Sequence, residues 1–219
     1  MFENKKVLVT AGPTWVSVDR VRVMTSIFSG ETGLRFARHF KDLGADVTLL
    51  MGPGRAKFIK EDWVEMNVRQ FFYYDDLAEL LEEELDKNQF DIVIHSSAVS
   101  DYKVANAHSG KTPSGMDEFS LALSPTAKLV DRIREKSPET FLVKFKLQVG
   151  LTPEELYDIA YNSLKSTGAN LIVANDLDTM EGENHVAYII DPKGNSKKVL
   201  TKDAMCRGLE EEIRQRLSE

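Results

Sequence analysis

The chain of 219 residues is 42% hydrophobic and 29% charged, enough to bury a core and too ordered a composition for a disordered or collagen-like chain. Its 35 acids against 28 bases leave a net charge of −7, which argues against sequence-independent nucleic-acid binding. The one cysteine, Cys206, excludes an internal disulfide and a finger-type zinc site and fits a reducing compartment.

Strand-like and helix-like patterns alternate along most of the chain. Val7, Leu8, Val9 and Thr10 form an apolar, β-branched run suited to a strand buried on both faces. Over residues 31–43, Leu34, Ala37, Phe40 and Leu43 recur at helical spacing, and Gly44 stops the helix. Residues 47–51 predict a second buried strand, ended by Gly52, Pro53 and Gly54. Residues 64–68 predict a weaker strand. An amphipathic helix follows, with Leu77, Leu80, Leu81 and Leu85 on one face and Glu82, Glu83 and Glu84 on a solvated one. Residues 91–95 form the next strand.

The character changes after Asp101. Residues 103–118 contain Gly110, Pro113 and Gly115 and predict a mobile loop, and Phe119, Leu121 and Leu123 alternate as in a half-exposed strand. A helix over residues 128–135 leads to a buried strand at 141–147. The next helix carries Pro153 in its first turn and Leu156, Ile159, Ala160 and Leu164 on one face. Residues 171–174 are one more parallel-type strand. Val186, Tyr188 and Ile190 pair with residues 198–200 through a turn at 191–195, as a hairpin. Met205, Leu209, Ile213 and Leu217 mark a last helix. The expected fold is α/β: a Rossmann-like, mostly parallel sheet flanked by helices, in one domain with an antiparallel appendage. No apolar run approaches the ~20 residues of a membrane helix, and residues 1–6 enter a strand without a signal peptide, so a cytoplasmic protein is expected.

In an open α/β sheet, ligands collect at the carboxyl ends of the strands. That rule selects residues 10–14, 52–54, 95–101, 145–146 and 175–176. A dinucleotide fingerprint would place three glycines directly between strand and helix. Here Gly12 stands alone, and Ser29, Gly30 and Gly33 come later, after Asp19, Arg20 and Arg22. A Ser-Gly step opening a helix aims backbone N–H groups at an anion; the plainer alternative is that Gly30 and Gly33 only permit close packing. Asp101 suits a hydroxyl or metal partner, or equally a turn cap. Lys111 is either a cation over a triphosphate or a solvated loop lysine. His39, His95, His108 and His185 show no metal-ligand spacing.

Several ordered blocks resemble the phosphopantothenoylcysteine synthetase family. They are residues 10–14 with 19–22, 29–33, 98–102, Lys111, 145–147 and 174–176, and together they cover nearly the whole chain. The resemblance implies a homodimer built through the antiparallel appendage. It also implies a ligase that activates 4′-phosphopantothenate with a nucleoside triphosphate, CTP in most bacteria, and joins it to L-cysteine. Mg²⁺ accompanies the nucleotide, no resident metal site is implied, and no flavin is expected, since the chain is similar to the synthetase without its decarboxylase domain.

Carried over by position, Gly12, Ser29, Gly30, Gly33, Ser97, Ala127, Lys128, Leu129, Val130, Phe145 and Asn175 would bind the nucleotide. Ala98, Asp101 and Arg22 would meet the substrate, Arg22 from the neighbouring protomer. Ser26, Lys111 and Asp101 would serve the chemistry. Three departures stand out. Ser26 replaces an asparagine of the family, Phe28 replaces a small hydroxyl residue, and Ser163 and Thr167 replace lysines, with Lys165 nearby. A serine has neither the reach nor the twin donors of an amide. The rival readings are a non-catalytic nucleotide-binding paralogue and an NAD(P)-dependent reductase on the same fold.

Overall fold

The computed structural model describes residues 2–105, 107, 110–113, 115 and 117–217. His108 lies outside them, as do parts of the loop expected over 103–118. Strand β1 (Lys6–Ala11) is followed by two short strands, β2 (Val16–Ser17) and β3 (Val23–Met24), then α1 (Glu31–Asp42) and β4 (Asp46–Met51). Next come α2 (Lys60–Glu65), β5 (Asn67–Gln70), α3 (Tyr74–Lys87), β6 (Ile92–His95), β7 (Tyr102–Val104) and β8 (Leu123–Pro125). The chain continues through α4 (Leu129–Lys136), β9 (Phe141–Gln148), α5 (Pro153–Thr167) and β10 (Leu171–Glu181). It closes with β11 (Asn184–Ile190), β12 (Ser196–Thr201) and α6 (Lys202–Arg216).

Eight strands form one sheet in the order β12-β11-β10-β9-β6-β1-β4-β5. Strands β10 through β5 in that order run parallel, and β11 and β12 add antiparallel at the edge. The expected appendage is therefore the continuation of the main sheet. The period of two along each strand divides the core between the sheet faces. Val7, Val9 and Ala11 pack with Leu34, Phe36 and Phe40 of α1 and Met205 and Leu209 of α6. Leu8, Val93 and Leu142 pack with Leu77, Leu129, Leu156 and Leu164 of α3, α4 and α5. The chain leaves β1 for β4 on one side and returns to β6 on the other, and this reversal of strand order opens a crevice at the carboxyl ends.

Some expectations are corrected. The strand expected over 64–68 begins only at Asn67, because Asp62 holds the Ile59 amide at 2.8 Å and the Arg38 guanidinium at 2.7 Å, winding residues 60–65 into α2. Only Leu123 of the predicted alternation at 119–123 lies in a strand; β8 pairs with β7, which overlaps the first residues of the expected loop. Ile159 is exposed, unlike Leu156, Ala160 and Leu164. Glu84 is buried rather than solvated, paired with Arg69 at 2.8 Å. Among the described residues no helix is long and apolar enough to cross a membrane.

Candidate active site

A cavity of about 780 Å³ occupies the crevice. Its floor is made by two loops stitched side by side. The Ala98 amide donates to the Gly12 carbonyl at 3.0 Å, the Ser96 hydroxyl to the Thr10 carbonyl at 2.7 Å, and the Ser100 amide to the Thr14 hydroxyl at 2.9 Å. Over this floor stands the N-terminus of α1, opened by Gly30 at φ 84° without a side-chain cap. The Ser29 hydroxyl accepts from the Glu31 amide at 3.3 Å, and the remaining first-turn amides with the positive dipole end suit an anion. The close-packing alternative also describes the geometry. A Cβ on Gly33 would lie 2.4 Å from the Ala11 Cβ, and one on Gly30 would lie 3.1 Å from the Gly12 backbone. The two readings are compatible, since the close approach also brings the helix end to the cavity.

Every residue expected at the nucleotide lines this cavity, together with Ser26, Ala98 and Asp101. Ser26 and Ser97 present hydroxyl oxygens that are shielded from solvent and have no partner within the described residues. A buried polar atom left unpaired is costly, and a ligand in the cavity would be one source of partners for these hydroxyls and for the likewise unpartnered His185 Nδ1. Asp101 pairs with Lys128 Nζ at 2.5 Å, both side chains more than half exposed. An exposed pair contributes little stability, so a ligand can part it at small cost. Phe145 packs its ring 5.6 Å from that of Phe36.

Two expected residues are not in the cavity: Arg22 and Lys111 do not line it. The Arg22 guanidinium is held by the buried Asp19 carboxylate and the Thr112 carbonyl of its own chain. Asp19 also accepts from the Thr112 amide at 2.9 Å, and the Arg20 amide donates to the Gly110 carbonyl at 3.1 Å. The segment around Lys111 is thereby docked on residues 19–22. Arg22, then the Thr112 amide, hold the Asp19 carboxyl far below the usual carboxylate range. Asp176 has a fold-holding role: amides of Gly150, Leu151 and Asp178 donate to it at 3.1, 2.9 and 2.9 Å.

Sequence reasoning placed His95 at the cavity end of its strand without giving it a role, and it missed Lys144, Lys202 and His185. His95 shares a 2.8 Å hydrogen bond between its Nδ1 and the Thr10 hydroxyl, and burial, then the Lys144 charge, push its pKa down to about 4. Lys144, Lys202 and His185 also line the cavity. A lysine inside the apolar run at 141–147 was the available signal. Among the described residues no group of three or more His, Cys, Asp and Glu could hold a metal.

Comparison with known proteins places the chain among relatives. The model of the DNA/pantothenate metabolism flavoprotein C-terminal domain matches residues 2–217. The coenzyme A biosynthesis bifunctional protein CoaBC of Thermococcus kodakarensis is 34% identical over 218 residues, 99% of this chain and 52% of that protein. The chain spans about half the length of the curated relatives it matches. The DNA/pantothenate metabolism flavoprotein structure from Streptococcus pneumoniae has a TM-score of 0.84 at 26% identity, covering 97% of this chain and 99% of that one. A Cab2 mutant in complex with phosphopantothenate-cysteine shares the fold, with a TM-score of 0.77 at 18% identity over 97% of this chain and 86% of that one.

Proposed function

From the premise that this chain belongs to the DNA/pantothenate metabolism flavoprotein C-terminal domain family, we propose that it joins 4′-phosphopantothenate to L-cysteine. The observation that carries this reading is the gathering of every expected nucleotide-binding residue on one cavity at the sheet's reversal point. The relatives named for coenzyme A biosynthesis, and the Cab2 complex with phosphopantothenate-cysteine, support the choice of substrates.

A carboxylate is a poor electrophile until its oxygen becomes part of a good leaving group. In the first step a carboxylate oxygen of the substrate bonds to the α-phosphorus of a nucleoside triphosphate, for which we propose CTP. The bond from that phosphorus to the bridging oxygen breaks, and pyrophosphate leaves. In the second step the cysteine amine bonds to the acyl carbon and gives up a proton, the carbon–oxygen bond breaks, and the nucleoside monophosphate departs. The cavity contributes orientation and charge stabilisation. The α1 amides meet phosphate oxygens, the Ser26 and Ser97 hydroxyls donate to the ligand, and Lys128 exchanges Asp101 for ligand charge. Mg²⁺ bound to the nucleotide would carry part of the phosphate charge. A nucleotide-borne Mg²⁺ asks for one or two carboxylates, and Asp101 and Asp131 on the wall fit that need.

The protein is proposed to act in the cytoplasm as a homodimer, with Arg22 and Lys111 completing the sites. The test is incubation with 4′-phosphopantothenate, cysteine, Mg²⁺ and each nucleoside triphosphate in turn, following pyrophosphate. Release that needs both substrate and nucleotide supports the ligase. Tight nucleotide binding without release supports a non-catalytic paralogue instead.

A further inference from the structure

Leu8, Val93 and Leu142 stand side by side in the sheet row on the face covered by α3, α4 and α5. Two residues onward, at the carboxyl ends, the same row reads Thr10, His95 and Lys144. An apolar row thus ends in three polar side chains that are 0, 9 and 7% exposed. Thr10 and His95 satisfy each other. Lys144 is different, because its hydrogen bonds are made but its charge is not neutralised. Nζ donates to the Ser163 carbonyl at 3.2 Å, the Ser163 hydroxyl at 3.0 Å and the Thr167 hydroxyl at 3.2 Å, and all three acceptors are neutral.

A buried ammonium without an opposite charge is costly. Desolvation lowers the pKa of Lys144 to about 8. The charged groups that act on it are Asp131 of α4, which favours the ammonium, and Lys146 of its own strand and Lys128 at the start of α4, which oppose it. Neutral His95 stands beside it on β6. Lys144, Ser163 and Thr167 all line the cavity, so the uncompensated charge borders the space a ligand would fill.

We propose that Lys144 is an anion-binding residue of the cavity, whose ammonium, seated on the Ser163 and Thr167 hydroxyls, takes a ligand phosphate group as its counter-ion. The identity of that ligand rests on the proposed function, in which the nucleotide triphosphate and the monophosphate of 4′-phosphopantothenate share the required chemistry. Ser163 and Thr167 are one helical turn apart on α5. A cation rooted on either would reach the same part of the wall, so this chain carries from the strand a charge that could equally be carried from the helix.

The experiment is calorimetric titration, without cysteine and without turnover, of wild type and Lys144→Met with inorganic pyrophosphate, CTP and 4′-phosphopantothenate separately. Lys144→Met should weaken by about tenfold or more the ligands that place phosphate there, and the unaffected ligand identifies the other subsite. Lys197→Met, on the far edge strand, should change nothing. Adding Thr167→Lys to Lys144→Met should recover part of the lost affinity, which a lysine serving only to bolt β9 to α5 would not allow. If Lys144→Met does not fold, Lys144→Gln, which keeps a donor for the Ser163 carbonyl, makes the same comparison. Unchanged affinity for all three ligands in a folded variant, or no binding of any by wild type, overturns the proposal. Lost binding in a protein that never makes the amide would overturn the ligase reading alone; amide formation with unaltered binding would overturn this inference alone.

Discussion

Gly33 and Ser96 meet where α1 crosses the loop after β6, so closely that a Cβ on Gly33 would stand 2.5 Å from the Ser96 hydroxyl oxygen. That hydroxyl is already committed to the Thr10 carbonyl, and the Ala11 Cβ closes the other side at 2.4 Å. Gly33→Ala should therefore push α1 off the sheet at the cavity. Overpacking of this kind costs about 1–3 kcal/mol, and a thermal melt should show a lower Tm with nucleotide affinity reduced in parallel. An unchanged Tm would mean the helix end is free to shift.

Ser26 offers a sharper separation of stability from function. Its hydroxyl is shielded and unpartnered, so Ser26→Ala removes a group the free protein does not use. Stability should stay within about 0.5 kcal/mol, while turnover falls at least tenfold through loss of a preorganised donor. Ser26→Asn should raise turnover, provided Phe28, which shares the wall, leaves room for the amide. Melting curves and pyrophosphate release, measured on the same preparations, check both.

Asp19 anchors the ledge outside the cavity, accepting from the amides of Val21, Arg22 and Thr112 and from the Arg22 guanidinium. Asp19→Asn should destabilise the fold by about 2 kcal/mol and free the segment around Thr112, read as faster amide exchange there and slower turnover. Exchange unchanged at Thr112 would show that the segment docks by other contacts.

The pH behaviour has a defined sign on each side of neutrality. His95 and His185 are lowered from 6.5 to about 4 by burial, then by a neighbouring lysine. The folded state keeps them neutral while the unfolded chain binds protons first, so their contribution is present above about 6.5 and lost as pH falls toward 4. Lys144 acts in the opposite range: its ammonium loses its proton as pH rises through about 8, so phosphate affinity should fall above that pH. Denaturant melts from pH 7 to 4 and pyrophosphate titrations from pH 7 to 9.5 read the two effects. Wild-type affinity that does not fall above pH 8, or a fall that persists in Lys144→Met, would remove Lys144 from the account.

The fold was legible wherever one segment declares itself. The apolar run at β1, the helical spacing of Leu34, Ala37 and Phe40 and the stop at Gly44 are local signals, and all reappear in the structure. The cavity floor was legible for the same reason, because strand ends fix where loops gather. Features made by partners distant in the chain were not. Glu84 reads as solvated until Arg69 of β5 is placed beside it, and α2 depends on Arg38 of α1 reaching Asp62. Lys144 looks like an ordinary interruption of a strand until α5 brings up Ser163 and Thr167.

Oxygen isotope transfer reports whether this cavity activates a carboxylate by nucleotidyl transfer. With ¹⁸O in the carboxylate of 4′-phosphopantothenate, amide formation should leave one labelled oxygen in the nucleoside monophosphate and none in pyrophosphate. Label in orthophosphate would show activation by phosphoryl transfer instead, and label retained wholly in the substrate would show that this chain does not perform the ligation.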